Sequence, residues 1–291
     1  MDIASSLIEL QGEYEVDFIS LKYLDDDGVL REIDYSANSI KQDQLSLRNS
    51  FLKILNGKHF IDPFRSHSTL SVFCDNLLLS KPLRSITEKI LRNKSATDKY
   101  SAFIHFWPMV NDQHHSRFNY VDNYSNLRSE IVKTLELAGI ETKTHYYNIK
   151  SDSCAIGIIG SSIIELADNI IISRYIISNV AASYGFNLQY TNNNFPNLDL
   201  HLTVKENQSA LEFSALTKKS AIISKLSIDS GAQFFEFINI NMHNFAKAVD
   251  IEINIKTNDF FSPYIALLEL LDYHTDPLII EKELNEILNS N

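Results

Sequence analysis

The stretch IIELADNIIISRYIISNVAASYGFNLQY, residues 163–190, decides the fold. Its apolar residues recur at helical spacing, which predicts one long helix over residues 162–183 that ends at Gly185. A strand is predicted to follow over residues 186–190. Crossing a membrane requires about 20 nearly uncharged apolar residues. This segment does not meet that requirement, because four polar or charged residues interrupt it: Glu165, Asp168, Asn169 and Arg174.

The composition is that of an ordinary globular protein. The chain has 291 residues, a net charge of 26 − 37 = −11, 44% hydrophobic and 22% charged residues. The acidic balance argues against nucleic-acid partners, because phosphate binding needs clustered Lys and Arg. Two cysteines, Cys74 and Cys154, match no metal or disulfide pattern and are predicted to be reduced core thiols. With no secretory signal in MDIASSLIELQGEYE, these features predict a cytoplasmic protein without a membrane partner.

Working outward from the long helix, the N-terminal part reads as a hairpin followed by mixed elements. Alternating apolar residues on both sides of Asp25-Asp26-Asp27-Gly28 predict a β-hairpin within residues 16–35. A helix is predicted in residues 44–55, then a loop, HFIDPFRSHST, and a short strand, LSVFCD. A second helix is predicted over residues 81–94.

The remaining pattern alternates strands and helices. A helix is predicted over residues 125–138, with Gly139 after its end. The paired His114 and His115 fall in a polar loop and are predicted to be solvated. Residues 207–245 give no clear pattern. Five further strands are predicted, over residues 100–110, 141–149, 154–159, 198–204 and 249–255, and two C-terminal helices, one from Ser262-Pro263 and one over 277–288. The fold class is α+β, and no Gly-rich nucleotide-binding motif is present.

Six segments, in order along the chain, resemble the glutamine synthetase family. They are the hairpin VDFISLKYLDDDGVLREI, the segment HFIDPFRSHSTLSVFCD, the following Pro82-Leu83-Arg84, the segment NLRSEIVKTLELAGIETKTHYYNI, the long helix with its ADN motif, and IEINIKTNDFFSPYIALLELLDY. The resemblance implies a small β-grasp-like domain over residues 1–95 and a truncated catalytic-type domain over residues 96–291. In the second, the long helix is expected to pack on a curved antiparallel sheet.

Glutamine synthetases join ammonia to glutamate through a γ-glutamyl phosphate formed from ATP. Carboxylates and one His hold divalent metals, and arginines bind substrate and phosphate. The family motifs that carry these groups are ELEFF, HHEVAPGQ.EI, NGSGMH.H and R.E.R. By this resemblance they fall on Phe103 and His105, on Asn148, Ser153 and Ala155, on His201, and on Glu252 and Asn254.

Most of the chemistry-bearing residues are therefore replaced. Of six metal-ligand positions, the resemblance leaves His201 and Glu252, and no arginine occurs between Lys205 and Asp250. We interpret the chain as a degenerate pseudoenzyme with no catalytic residue and no cofactor. Asp168-Asn169 is interpreted as a packing feature, and Glu252 is expected to contact a histidine.

Three functional classes follow from this interpretation. The first is a non-catalytic binding or assembly partner that acts on another protein or on itself, most simply as a dimer. The second is an ATP-dependent carboxylate–amine ligase with a remodelled site, in which His105, His201 and Glu252 hold a metal alongside ATP and Mg²⁺. The third is a sensor that binds a metabolite in the former cleft without turnover.

Overall fold

The computed structural model describes most of the chain between Ile3 and Thr257, with gaps. The described residues are 3–25, 28–40, 51–78, 84–85, 87–88, 99–109, 122–190, 198–205, 235–245, 248–257 and 263–264, of which 4, 99, 200–205, 235–245 and 248–257 are described by their backbone alone. They divide into two compact units, the first being Met1–Pro82 with Thr134–Gly139 and the second Leu83–Lys133 with Ile140–Asn291. The predicted boundary near residue 95 stays a prediction.

The described part of Met1–Pro82 contains one helix, α1 (Ile3–Glu13), and a four-stranded sheet. The strands lie in the order β2-β1-β4-β3, with β1 and β4 parallel and the outer pairs antiparallel. Gly28 has a φ of 77° at the turn between β1 and β2, which confirms the predicted hairpin. The β-grasp assignment stays a prediction. The bounds are β1 (Phe18–Leu24), β2 (Leu30–Ser36), β3 (Leu52–Ile61) and β4 (Thr69–Asn76).

An apolar cluster holds this unit together. Alternate residues of β1 and β4 point to the same side of the sheet and pack with α1 residues. Its buried members are Ile3, Leu7, Ile19, Leu21, Ile40, Leu52, Leu70, Val72 and Cys74. Helix α1 was not predicted, because its apolar face is short.

Two predictions in this unit were wrong. The helix expected over residues 44–55 is contradicted from Leu52 onward, where β3 begins; residues 44–50 lie outside the described part. The predicted loop from His59 also starts too early, because β3 continues to Ile61. Leu52 and Leu55 are buried on the sheet, so pairing with β4 overrides the helical spacing of these few residues.

The second unit is built on a seven-stranded sheet whose strand pairs are all antiparallel, as predicted. The order is β10-β11-β9-β5-β7-β6, and β8 pairs with the far end of β5. Residues 207–234 lie outside the described part, and β10 was not predicted. The bounds are β5 (Lys99–Met109), β6 (Thr142–Asn148), β7 (Ser153–Gly160), β8 (Asn187–Gln189), β9 (Leu198–Lys205), β10 (Phe235–Phe245) and β11 (Ala248–Thr257).

The described part of the chain after β5 contains two long helices, α2 (Ser125–Leu137) and α3 (Ile163–Ser183). Helix α3 contacts β5, β7 and β8, as predicted from its apolar sequence. At its start, the Ser162 hydroxyl accepts from the Glu165 N–H at 3.1 Å, and the Glu165 carboxylate accepts from the Ser161 N–H at 2.9 Å. Its end is followed by Gly185 at a φ of 79°. Within the described residues, no helix is long and apolar enough to cross a membrane.

Several predicted elements fall mostly outside the described residues. These are the loop with His114 and His115, the helix over residues 277–288, and all but two residues of the helix from Ser262-Pro263. Residues 84, 85, 87 and 88 are helical, in agreement with the helix predicted over 81–94. Pro263 and Tyr264 are helical as well.

Candidate functional site

The predicted site residues all fall on one face of the second sheet, which we name the cleft face. Residues that are direct antiparallel partners share a face, as do residues two apart on one strand. The register pairs His105 with Ala155, Asn148 with Ser153, Phe103 with Asp199, Asn254 with Asp199, and Glu252 with His201. This is a statement about backbone positions. The chemical role of these residues stays a prediction.

A buried hydrogen-bonded chain crosses the cleft face at His105. The His105 Nε2 atom lies 2.7 Å from Asp199 Oδ2, and its Nδ1 atom lies 3.3 Å from the Ser153 hydroxyl. That hydroxyl is 2.7 Å from the hydroxyl of Ser151, whose carbonyl accepts from the Trp107 indole at 2.8 Å. All five residues are buried. Both imidazole nitrogens therefore have a protein partner.

Phe103 fills the neighbouring part of the cleft face. Its ring lies over Gly157, where a Cβ atom would stand 2.7 Å from Phe103 Cε1. The ring also contacts Tyr146, with centroids 5.6 Å apart and planes 56° apart. Only a residue without a side chain at position 157 lets the Phe103 ring lie this close to β7. An aromatic ring therefore occupies the surface beside His105.

Asp199 was missed as a site residue. It stands where the resembled motif NGSGMH.H has its second glycine. The resemblance therefore assigned a ligand role on this strand to His201 alone. Alternation was the available signal, since Asp199 lies two residues before His201 on β9 and so shares its face. The expected contact between Glu252 and a histidine concerns a side chain outside the described ones and stays a prediction.

The described side chains of the cleft face do not match the oxygen-rich set that Mg²⁺ and a nucleotide need. Asp199 is bonded to His105, and the described residues contain no group of three or more His, Cys, Asp or Glu that could hold a metal ion. The alternative set His105, His201 and Glu252 includes two side chains that lie outside the described ones. The described part of this face therefore gives no support for metal-assisted phosphoryl transfer.

A second polar cluster brings together three segments that resembled the family. Arg84 donates to both carboxylate oxygens of Asp168, each at 3.2 Å, and the Tyr264 hydroxyl donates to Oδ1. Asp168 is buried within α3. The neighbouring Asn169 donates its amide to the Ile159 carbonyl at 2.9 Å. These contacts bind separate elements to one another, as expected of the packing feature inferred from the ADN motif.

A third polar cluster anchors α2. Arg128 is buried and donates to Asp122 Oδ1 at 2.9 Å, and Arg128 Nε lies 3.4 Å from His145 Nδ1. The hydrogen bond from Arg128 lowers the pKa of Asp122. Burial, followed by the charge of Arg128, lowers the pKa of His145.

Both cysteines are free and buried, as predicted. Burial raises the pKa of Cys154 to about 11 and that of Cys74 to about 12. Thiols with such high pKa values are poor nucleophiles at neutral pH, because the thiolate is the reactive form.

Comparisons of the sequence with known proteins all indicate similarity to the same family. Residues 90–199 match the model of the glutamine synthetase catalytic domain. A glutamine synthetase from Rhodobacter capsulatus is 34% identical over 67 residues, which cover 23% of this chain and 15% of that protein. One from Methylococcus capsulatus is 32% identical over 66 residues, covering 22% and 14%. The matched region is thus a small part of these relatives.

Solved structures extend the likeness to nearly the whole chain. Apo GmaS superposes with a TM-score of 0.70 at 12% identity, covering 97% of this chain and 81% of that one. Plasmodium falciparum glutamine synthetase superposes with a TM-score of 0.66 at 10% identity, covering 95% and 75%. At such identities the likeness concerns the fold. The chain is therefore similar to the glutamine synthetase family: residues 90–199 match the model of its catalytic domain, and the α+β fold is like that of its solved structures.

Proposed function

We propose that this protein is a non-catalytic member of its fold family that acts as a binding or assembly partner. It uses the glutamine-synthetase-like fold as a shape and carries out no ligation. The single observation that carries the proposal is the cleft face around β5. The family motif ELEFF carries two metal-binding glutamates, and the resemblance places them on Phe103 and His105. Here Phe103 packs over Gly157, and His105 is bonded to Asp199 and Ser153.

The charge at these positions supports the proposal. Divalent cations with ATP need several ionised oxygens, whose mutual repulsion is relieved only when the cations bind. A phenyl ring supplies no ligand, and an imidazole with both nitrogens occupied has no free lone pair. Asp199 supplies one carboxylate, which is satisfied by His105 at 2.7 Å.

Retained packing residues also support the proposal. The Arg84–Asp168–Tyr264 cluster is hydrogen-bonded within segments that resemble the family, whereas the residues at the resembled ligand positions of the cleft face differ from its motifs. Removing either charge of such a buried pair costs stability, so the pair is maintained whether or not the protein is an enzyme. Selection for shape without selection for ligation leaves this pattern.

Titration calorimetry tests the proposal. The full chain is titrated with ATP in the presence of Mg²⁺ and glutamate, and again with EDTA in place of Mg²⁺. We expect no metal-dependent heat of nucleotide binding and no phosphate release on addition of ammonia. Metal-dependent binding with turnover would instead establish the remodelled ligase, with His105, His201 and Glu252 as its first candidate ligands. Binding of glutamate alone without turnover would indicate the sensor.

The partner is proposed to be a protein, either a second copy of the chain or another polypeptide, in the cytoplasm. Self-association as a dimer is the simplest form, because most soluble oligomers are symmetric dimers. Light scattering over a wide concentration range measures this directly. A dimer mass supports self-association, whereas a monomer mass at high concentration contradicts it and leaves a different polypeptide as the partner.

A further inference from the structure

An amine and two carboxylates meet within the first unit at Lys22. The Lys22 side chain has no exposed surface, and the same is true of Asp62, which directly follows β3. Lys22 Nζ lies 4.0 Å from Asp62 Oδ2 and 2.6 Å from Glu32 Oε2. Glu32 is the register partner of Lys22 on β2, and 46% of its side chain is exposed. Full burial of a lysine is rare in folded proteins.

Two buried aromatic rings lie on β4 and β3, the strands beyond β1 in the sheet. Phe73 is the register partner of Lys22 on β4, and Phe73 stacks on Phe60 with centroids 6.2 Å apart and planes 22° apart. Since water is the product of a condensation between an amine and a carboxyl group, a site that excludes water favours the condensed form.

Both oxygens of the Asp62 carboxyl group receive a hydrogen bond. Oδ1 accepts from the Phe64 N–H at 3.0 Å, and Oδ2 accepts from the Ser71 hydroxyl at 2.6 Å. Donors in these positions stabilise the negative charge that develops on a carboxyl oxygen when a nucleophile adds to its carbon. They also hold the carboxyl group in one orientation beside the amine.

We propose that Lys22 and Asp62 condense spontaneously to form an intramolecular isopeptide bond, with Glu32 as the proton carrier. A proton first passes from the Lys22 ammonium to the Asp62 carboxylate, which leaves a neutral amine and a carboxylic acid. The amine nitrogen then attacks Asp62 Cγ. The N–Cγ bond forms and a Cγ–O bond breaks. Glu32 takes the second amine proton and passes it to the departing hydroxyl, which leaves as water.

The geometry selects Asp62 as the reacting carboxyl group and Glu32 as the carrier. Reaction requires the nitrogen and the carbon to approach within about 3–3.5 Å. Lys22 Nζ starts 4.0 Å from Asp62 Oδ2. Glu32 is closer, but its exposure to water favours the hydrolysed form of any amide at that position. No oxidant, reductant or other reactant is needed.

Intact-mass spectrometry of the purified full chain under denaturing conditions tests the bond. We expect a mass lower than that of the sequence by one water molecule. A digest should also contain a branched peptide that joins the residue 22 and residue 62 segments. An unchanged mass after long incubation of folded protein would overturn the proposal, and so would a branch at Glu32.

Variants separate the roles of the residues. Lys22→Arg and Asp62→Ala should retain the full sequence mass. In Asp62→Asn the condensation expels ammonia in place of water, so its product should have the same mass as the wild-type product. Glu32→Gln should remain uncondensed with an unchanged circular dichroism spectrum. The matched control is Asp25→Asn, a carboxylate of the same hairpin that pairs with Arg31, and it should form the bond normally. Loss of the bond in this control would contradict the assigned role of Glu32.

Discussion

Two polar clusters in the second unit differ in how closely their residues resemble the family motifs. The Arg84–Asp168–Tyr264 cluster joins separate segments through a buried carboxylate, and its sequence still resembles the family motifs. The His105–Asp199–Ser153 chain lies where the family resemblance places ligands, and its residues are different. A cluster that holds the fold together is constrained by stability, whereas a ligand site is constrained only as long as the ligand is needed.

The largest effect is expected from Asp168→Ala. The substitution leaves the Arg84 guanidinium without its bidentate partner and the Tyr264 hydroxyl without its acceptor. Loss of one partner of a buried ion pair costs about 3–5 kcal/mol. Urea unfolding followed by circular dichroism measures this as a lower free energy of unfolding. The Arg84→Met, Asp168→Leu double variant is the control and should recover part of the loss. A loss below about 1 kcal/mol for Asp168→Ala would show that the cluster is dispensable.

Gly157→Ala examines the packing of the cleft face. The new methyl group would stand 2.7 Å from Phe103 Cε1 and 3.1 Å from the Thr144 carbonyl oxygen. Overpacking of this kind costs about 1–3 kcal/mol in the free energy of unfolding. Thermal unfolding supplies the measurement. Gly12→Ala in α1 is the matched control, since no atom lies within 4 Å of its added Cβ and alanine favours a helix by up to about 1 kcal/mol. If both variants behave alike, Phe103 does not fill this surface.

Asp199→Asn tests the carboxylate that the sequence analysis missed. The variant weakens the 2.7 Å bond to His105 and removes the charge that faces it. We expect a loss of about 1–3 kcal/mol, since a buried imidazole is left with a poorer partner. A double-mutant cycle with His105→Gln gives the coupling between the two side chains. Additive losses would mean that the pair is not an energetic unit.

The smallest effect concerns pH and the Arg128–Asp122 pair. The hydrogen bond from Arg128 lowers the pKa of Asp122 below its usual 3.8 in the folded protein. The pair therefore contributes stability above that value, and the contribution disappears as pH falls through the lowered pKa. We expect wild-type protein to lose more stability than Asp122→Asn between pH 5 and acid, as measured by urea midpoints. Parallel curves for the two proteins would rule out this contribution.

Much of the fold could be predicted from local patterns. The spacing of apolar residues in α3, the Asp-Gly turn between β1 and β2, and the glycine after α2 each act within a few residues. Apolar spacing gave a wrong prediction at Leu52–Ile61. A few apolar residues at helical spacing predicted a helix there, but pairing with β4 makes the segment a strand. Short segments are decided by their partners, because tertiary contacts exceed the small differences in intrinsic propensity.

By itself, the sequence determined the α+β class, the family resemblance and the shared face of Phe103 and His105, since alternation along one strand is a local property. Only the tertiary structure decided which side chains meet there. Asp199 and His105 are 94 residues apart. Lys22, Glu32 and Asp62 also come from three separate segments of the chain. Distances between remote residues depend on strand order and register, which no local pattern encodes.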